Sequence, residues 1–152
     1  MHLNLEKLAI SRKSFEPFGD VISKGVENSK FLINQGYCER FDEVATVQVL
    51  DKKANPIISI FSATPRKRPI KIDYMEMHPL ASQAFMPLQK FYWQVVVAND
   101  KDGSPDISSI KCFKVPGDVG INYNPKVWHF PLLVNTAQDF LVIDRSSALD
   151  KS

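Results

Sequence analysis

The residues best suited to chemistry are few. Three histidines occur among 152 residues. His2 is at the terminus. His78 and His129 lie in two segments rich in polar and aromatic side chains, Glu76-Met77-His78-Pro79-Leu80-Ala81-Ser82-Gln83 and Asn122-Tyr123-Asn124-Pro125-Lys126-Val127-Trp128-His129. Imidazole exchanges protons near neutral pH and ligates first-row metals. Glu76 stands two residues before His78, so an extended backbone turns both side chains to one face. Two imidazoles, one carboxylate and the weaker amide of Gln83 suffice for a three- or four-ligand metal site, though they make a poorer set than three histidines. The same residues also suit an acid–base pair. The simplest alternative is a pair of histidines hydrogen-bonded within a core, and all three uses stay open at this level.

The elements that must position these residues read as short strands in close succession. Segments 44–50, 56–62, 70–77, 91–98, 110–115 and 140–144 are rich in β-branched residues, Val95-Val96-Val97 and Ile57-Ile58 among them. Segment 70–77 alternates apolar and polar residues for most of its length, the pattern of a strand with one buried face. Ten prolines punctuate the runs, and each must lie at a strand end or edge. Turn residues cluster at Asn99-Asp100-Lys101-Asp102-Gly103 and Pro116-Gly117-Asp118. One helical turn is predicted over 11–15 with Ser11 as N-cap, and a second short turn from Asp106. Many short strands with little helix make a sandwich or barrel. No linker or repeat interrupts residues 1–152, which read as a single domain.

Composition narrows the function. Apolar residues make up 44% and charged residues 24%, and the net charge is +2. That is an ordinary globular balance and too little positive charge for a nucleic-acid binder. The basic run Arg66-Lys67-Arg68, flanked by Pro65 and Pro69, reads as an exposed loop. Glu6 and Lys7 interrupt the N-terminal apolar stretch, so it is no signal peptide. No run nears the roughly 18 apolar residues of a membrane helix. Cys38 and Cys112 are far apart in sequence and outside any Cys-x-x-Cys pair, and read as reduced core thiols. A cytoplasmic protein with no membrane partner is expected.

The two histidine segments resemble the paired motifs of cupins. Glu76 and His78 take the place of the His-x-His pair, Gln83 stands near the usual Glu, and Gly117-Asp118 with His129 matches the second motif. A wider ordered set is similar to the ureidoglycolate lyase family from about residue 15 to residue 145: Phe18-Gly19-Asp20-Val21-Ile22, Ile33-Asn34-Gln35-Gly36, Glu39-Arg40-Phe41, His78-Pro79-Leu80, Gln83-Ala84-Phe85-Met86-Pro87, Gly120-Ile121-Asn122-Tyr123, Val127-Trp128-His129 and Ile143-Asp144-Arg145. The resemblance implies an all-β, cupin-like antiparallel barrel or jelly roll. It also implies a homodimer, and cleavage of ureidoglycolate to glyoxylate and urea in ureide (allantoin, purine) degradation, with nickel as the suggested divalent metal. Asn124 and Phe130 stand where the family commonly has histidines, which puts the metal site and the exact substrate in question.

That reaction removes a hydroxyl proton as the carbonyl forms and supplies a proton to the departing ureido nitrogen. His129, His78 and Glu76 are the catalytic candidates. Glu76, His78, Gln83 and His129 are the metal-ligand candidates. Gln83 is placed to orient the ureido group, and Arg145, with Arg40 as second choice, to grip the substrate carboxylate. Tyr123 and Trp128 are expected to wall the pocket, with Asn124 beside them as a substrate-binding candidate. The alternatives are another metal-dependent cupin enzyme acting on a small carboxylic acid, or a non-catalytic small-molecule-binding cupin.

Overall fold

A computed structural model describes residues 5–25 and 30–146. Its strands, in chain order, are β1 (Lys7–Ala9), β2 (Gly19–Ile22), β3 (Lys30–Ile33), β4 (Cys38–Phe41), β5 (Pro56–Ala63), β6 (Gln83–Pro87), β7 (Trp93–Ala98), β8 (Asp100–Lys101), β9 (Ser104–Pro105), β10 (Lys111–Val115), β11 (Gly120–Tyr123), β12 (Trp128–His129), β13 (Leu133–Val134) and β14 (Gln138–Arg145). One helical turn, α1 (Arg12–Phe15), precedes β2. One five-stranded sheet runs β1-β10-β7-β12, with β13 also on β7. The other runs β2-β11-β6-β14-β5, and β3-β4 and β8-β9 form two separate hairpins. All pairings are antiparallel except β1 with β10. The all-β expectation holds. Among the described residues no helix is long and apolar enough to cross a membrane.

The two large sheets enclose one core. Val21, Phe85, Ile121, Phe140 and Val142 from one sheet meet Trp93, Val95, Val97, Phe113 and Val115 from the other. Trp93 and Phe140 pack edge to face at 4.9 Å across this layer, a geometry that aligns ring edges with π faces. Strand β7 is buried along its whole length, which explains an unbroken apolar run where a half-exposed strand would alternate. Its other face joins Val96 to Cys112, Phe130 and Leu133 in a second apolar cluster, covered by Ile70, Ile72 and Met75.

The turn over 11–15 forms as α1. Ser11 and Ser14 cap it reciprocally, each backbone N–H donating to the other's hydroxyl at 3.0 Å. The short turn after Asp106 forms as a 3-10 turn at Ile107–Ser109. Two predicted strands do not form. Segment 44–50 contributes only a bridge between Val49 and Ala81, and segment 70–77 only a bridge between Glu76 and His129. Prolines at 69 and 79 bracket the latter, and its apolar residues cover the second cluster instead of joining a ladder. Cys38 is exposed, so of the two free thiols only Cys112 is a core residue. His2 lies outside the described residues.

Candidate active site

His129 is brought to Glu76 by backbone pairing. The Glu76 N–H donates to the His129 carbonyl at 2.8 Å and the His129 N–H to the Glu76 carbonyl at 2.9 Å. This bridge sets the two side chains together although 53 positions of sequence separate them. The His129 Nε2 stands 3.9 Å from the Glu76 carboxylate. His78, two residues beyond Glu76, places its ring 5.2 Å from that of His129. Glu76, His78 and His129 each present a ligating atom, all within 4.8 Å of one another.

The tautomer of His129 follows from its other nitrogen. Nδ1 lies 3.0 Å from the Val127 carbonyl, an acceptor only, so Nδ1 carries the proton and donates. Nε2 is left with a bare lone pair, and it is buried with no hydrogen-bond partner among the described residues. Burial, together with the neighbouring His78, lowers the His129 pKa to about 4 despite the opposing Val127 hydrogen bond, so the ring is neutral at physiological pH. Its face stacks on Tyr123, with centroids 4.2 Å apart and planes 17° apart. Burial, and secondarily the Glu76 charge, pushes the Tyr123 phenol up, so it stays protonated.

A cleft of about 630 Å³ opens onto this group, lined among others by Glu76, Gln83, Tyr123 and His129. The size is that of a small-molecule site. His78 does not line the cleft and packs beside His129, with its own Nε2 buried and unpartnered among the described residues. Gln83, in β6, donates its side-chain amide to Asp144 at 3.1 Å, which fixes its orientation and leaves the amide oxygen as its ligating atom.

Four further sequence-predicted site residues lie away from the cleft lining. Trp128 does not line the cleft: it precedes His129 in β12, so its side chain takes the opposite face, and its indole N–H donates to Asp100 at 2.8 Å. Asn124 also lies off the cleft lining, its backbone N–H tied to the Phe18 carbonyl at 2.9 Å. Arg145 pairs with Asp51 at 3.6 Å and Arg40 with Asp42 at 2.6 Å, and neither lines the cleft. Arg66 and Gln94 are among the lining residues that were not site candidates. Arg66 lies, as expected, in an exposed basic loop, and that loop borders the cleft. Gln94 is 3% exposed with an unpartnered amide nitrogen, and the signal available for it was a lone amide inside the apolar run Trp93-Gln94-Val95-Val96-Val97.

The donor set fits a divalent ion. First-row ions hold imidazole and carboxylate ligands at about 2.0–2.2 Å. The Glu76–His129 separation of 3.9 Å is within reach of one such ion. Both unpartnered Nε2 atoms are explained if a cation takes their lone pairs.

The sequence matches the family model described as Ureidoglycolate lyase over residues 2–151. Among curated relatives, a ureidoglycolate lyase of Salmonella typhimurium is 40% identical over 147 residues, covering 96% of this chain and 90% of the relative. A ureidoglycolate lyase of Pseudomonas aeruginosa is 41% identical over 140 residues, covering 91% and 82% respectively.

Proposed function

We propose that this chain, which belongs to the ureidoglycolate lyase family, is a lyase that cleaves ureidoglycolate into glyoxylate and urea. The observation that carries the reading is the convergence of Glu76 and the bare Nε2 of His129 on one small-molecule cleft. The reaction moves one proton from the substrate hydroxyl to the ureido nitrogen while the bond between carbon and that nitrogen breaks. The His129 Nε2 has the lone pair to take the hydroxyl proton. Burial makes the resulting imidazolium a ready donor, so the same atom returns the proton to the departing nitrogen. The Glu76 carboxylate stabilises that cation while it lasts. Tyr123, held neutral, fixes the plane of the ring. Gln83, oriented by Asp144, presents its amide oxygen to the ureido N–H groups.

Glu76, His78 and His129 are also the residues that would hold a divalent metal, nickel by family resemblance, with the Gln83 amide oxygen as a further ligand. When bound, such an ion lowers the pKa of the substrate hydroxyl. Metal binding and proton transfer use the same His129 lone pair, so the two roles exclude each other.

On this reading the protein acts in the cytoplasm, in ureide breakdown, as a homodimer. Two free thiols suit a reducing compartment. Strand β5 is an open edge of its sheet and exposes Ile58 and Ile60, while the β3–β4 hairpin exposes Phe31 and Leu32. Such surfaces are commonly covered by a second subunit. The test of the activity is anaerobic incubation of purified protein with ureidoglycolate, with and without nickel. Equimolar glyoxylate and urea are expected. Dependence on oxygen would favour an oxygenase, and binding of glyoxylate without turnover a sensor.

A further inference from the structure

The structure assigns Arg66 as the residue that receives the substrate's carboxylate, held in place by the face of Phe130. The assignment rests on the ureidoglycolate reading for the identity of the substrate, although the geometry asks only for a small carboxylate.

Arg66 lines the same cleft as Glu76 and His129. Its guanidinium carbon sits 4.7 Å from the centroid of the Phe130 ring. Phe130 is a firm platform: it is 2% exposed, its backbone N–H donates to the Val96 carbonyl at 2.9 Å, and Tyr74 packs on it at 5.9 Å. A guanidinium stacked on an aromatic face keeps its in-plane N–H donors free, and a planar fork of donors matches a carboxylate.

Competition for that fork is absent among the described residues. Arg145 and Arg40 are both occupied by carboxylates, whereas no described ion pair involves Arg66. Glu76 is the sole acid among the described residues lining the cleft, and no ion pair joins it to Arg66. Gln94 adds a buried, unpartnered N–H donor to the same cleft. The site therefore joins a cation and an amide donor, both lacking an anion, to the catalytic histidine. The Phe130 ring face attracts the guanidinium and holds it at the cleft wall.

The test compares glycolate with its neutral isostere glycolamide, their affinities measured by calorimetry on the full chain. Arg66→Gln is expected to weaken glycolate binding by about 10- to 100-fold, the worth of a charge-assisted fork, and to leave glycolamide unchanged. Arg66 is exposed, so the variant should fold. Phe130→Leu, which keeps an apolar side chain and removes the ring face, should weaken glycolate in the same direction by a smaller factor. Arg68→Gln, two residues along the same basic run, should change neither ligand. With ureidoglycolate as substrate, Arg66→Gln should raise KM by the same factor and leave kcat within about threefold. Unchanged glycolate affinity in Arg66→Gln, equal loss for glycolate and glycolamide, or an equal loss in Arg68→Gln would each overturn the assignment. Wild-type protein that binds glycolate through Arg66 but does not turn over ureidoglycolate would overturn the proposed function and leave the carboxylate site standing.

Discussion

The Nε2 of His129 faces the Glu76 carboxylate at 3.9 Å while its Nδ1–H is committed to the Val127 carbonyl at 3.0 Å. One nitrogen is fixed by the backbone and the other is left for chemistry. Burial keeps the ring neutral, and that has a consequence for stability. The His129 pKa falls from 6.5 to about 4 on folding, so between those values the unfolded chain binds the extra proton. Stability is therefore intact above about pH 6.5 and is lost as the pH falls from there through about 4, with a ceiling on the order of 3 kcal/mol. Urea unfolding of the metal-free protein at a series of pH values should show a steeper acid loss in wild type than in His129→Gln. Parallel curves would mean that His129 titrates normally in the folded chain.

The three convergent ligands make a prediction about metal. Calorimetric titration with nickel should give one site in wild-type protein and none in His78→Ala, because that variant removes one of the three convergent ligands. A flat titration of wild type would remove the metal and leave proton transfer by His129 as the account of the site.

Gly117 tests the turn that launches β11, the strand of Tyr123. A Cβ there would lie 1.8 Å from the Lys90 carbonyl oxygen, backbone against backbone. Gly117→Ala should destabilise the protein by about 3 kcal/mol, at the upper end of overpacking costs. Urea denaturation would measure it, and a loss below about 0.5 kcal/mol would show that the loop shifts freely.

These residues also show how far the sequence carried the reading. Gly117-Asp118 and His129 stood out by type and spacing, and the β class followed from prolines and β-branched runs. The meeting of Glu76 with His129 was expected from the resemblance to the paired cupin motifs, and the strand pattern served only to put Glu76 and His78 on one face. A regular strand was inferred over 70–77, whereas the structure has a single bridge, because alternation reports burial on one side and not whether a partner strand lies alongside. Strands β2, β6 and β11 were missed because they are short and carry polar residues such as Asp20, Gln83 and Asn122 into buried or half-buried positions. The place of Arg66 at the cleft was illegible for a different reason: its exposure was read correctly, but only the fold brings Phe130 beneath it.

The exposed edge of β5 predicts association. Light scattering at micromolar concentration should give a dimer, and Ile58→Asp together with Ile60→Asp should shift it to monomer, since both side chains are more than half exposed on one face of the edge strand. A wild-type monomer would contradict the proposed assembly, and an unaffected double variant would move the interface elsewhere.

In the proposed mechanism the Nε2 of His129 moves the proton on ureidoglycolate. The direct measurement is kcat of wild type and of His129→Ala, followed by glyoxylate release in the presence of chelator, with the fold of the variant checked by circular dichroism. A loss of about two to four orders of magnitude, the range of general acid–base catalysis, with the fold retained, is predicted. Turnover near that of wild type in His129→Ala would contradict the mechanism.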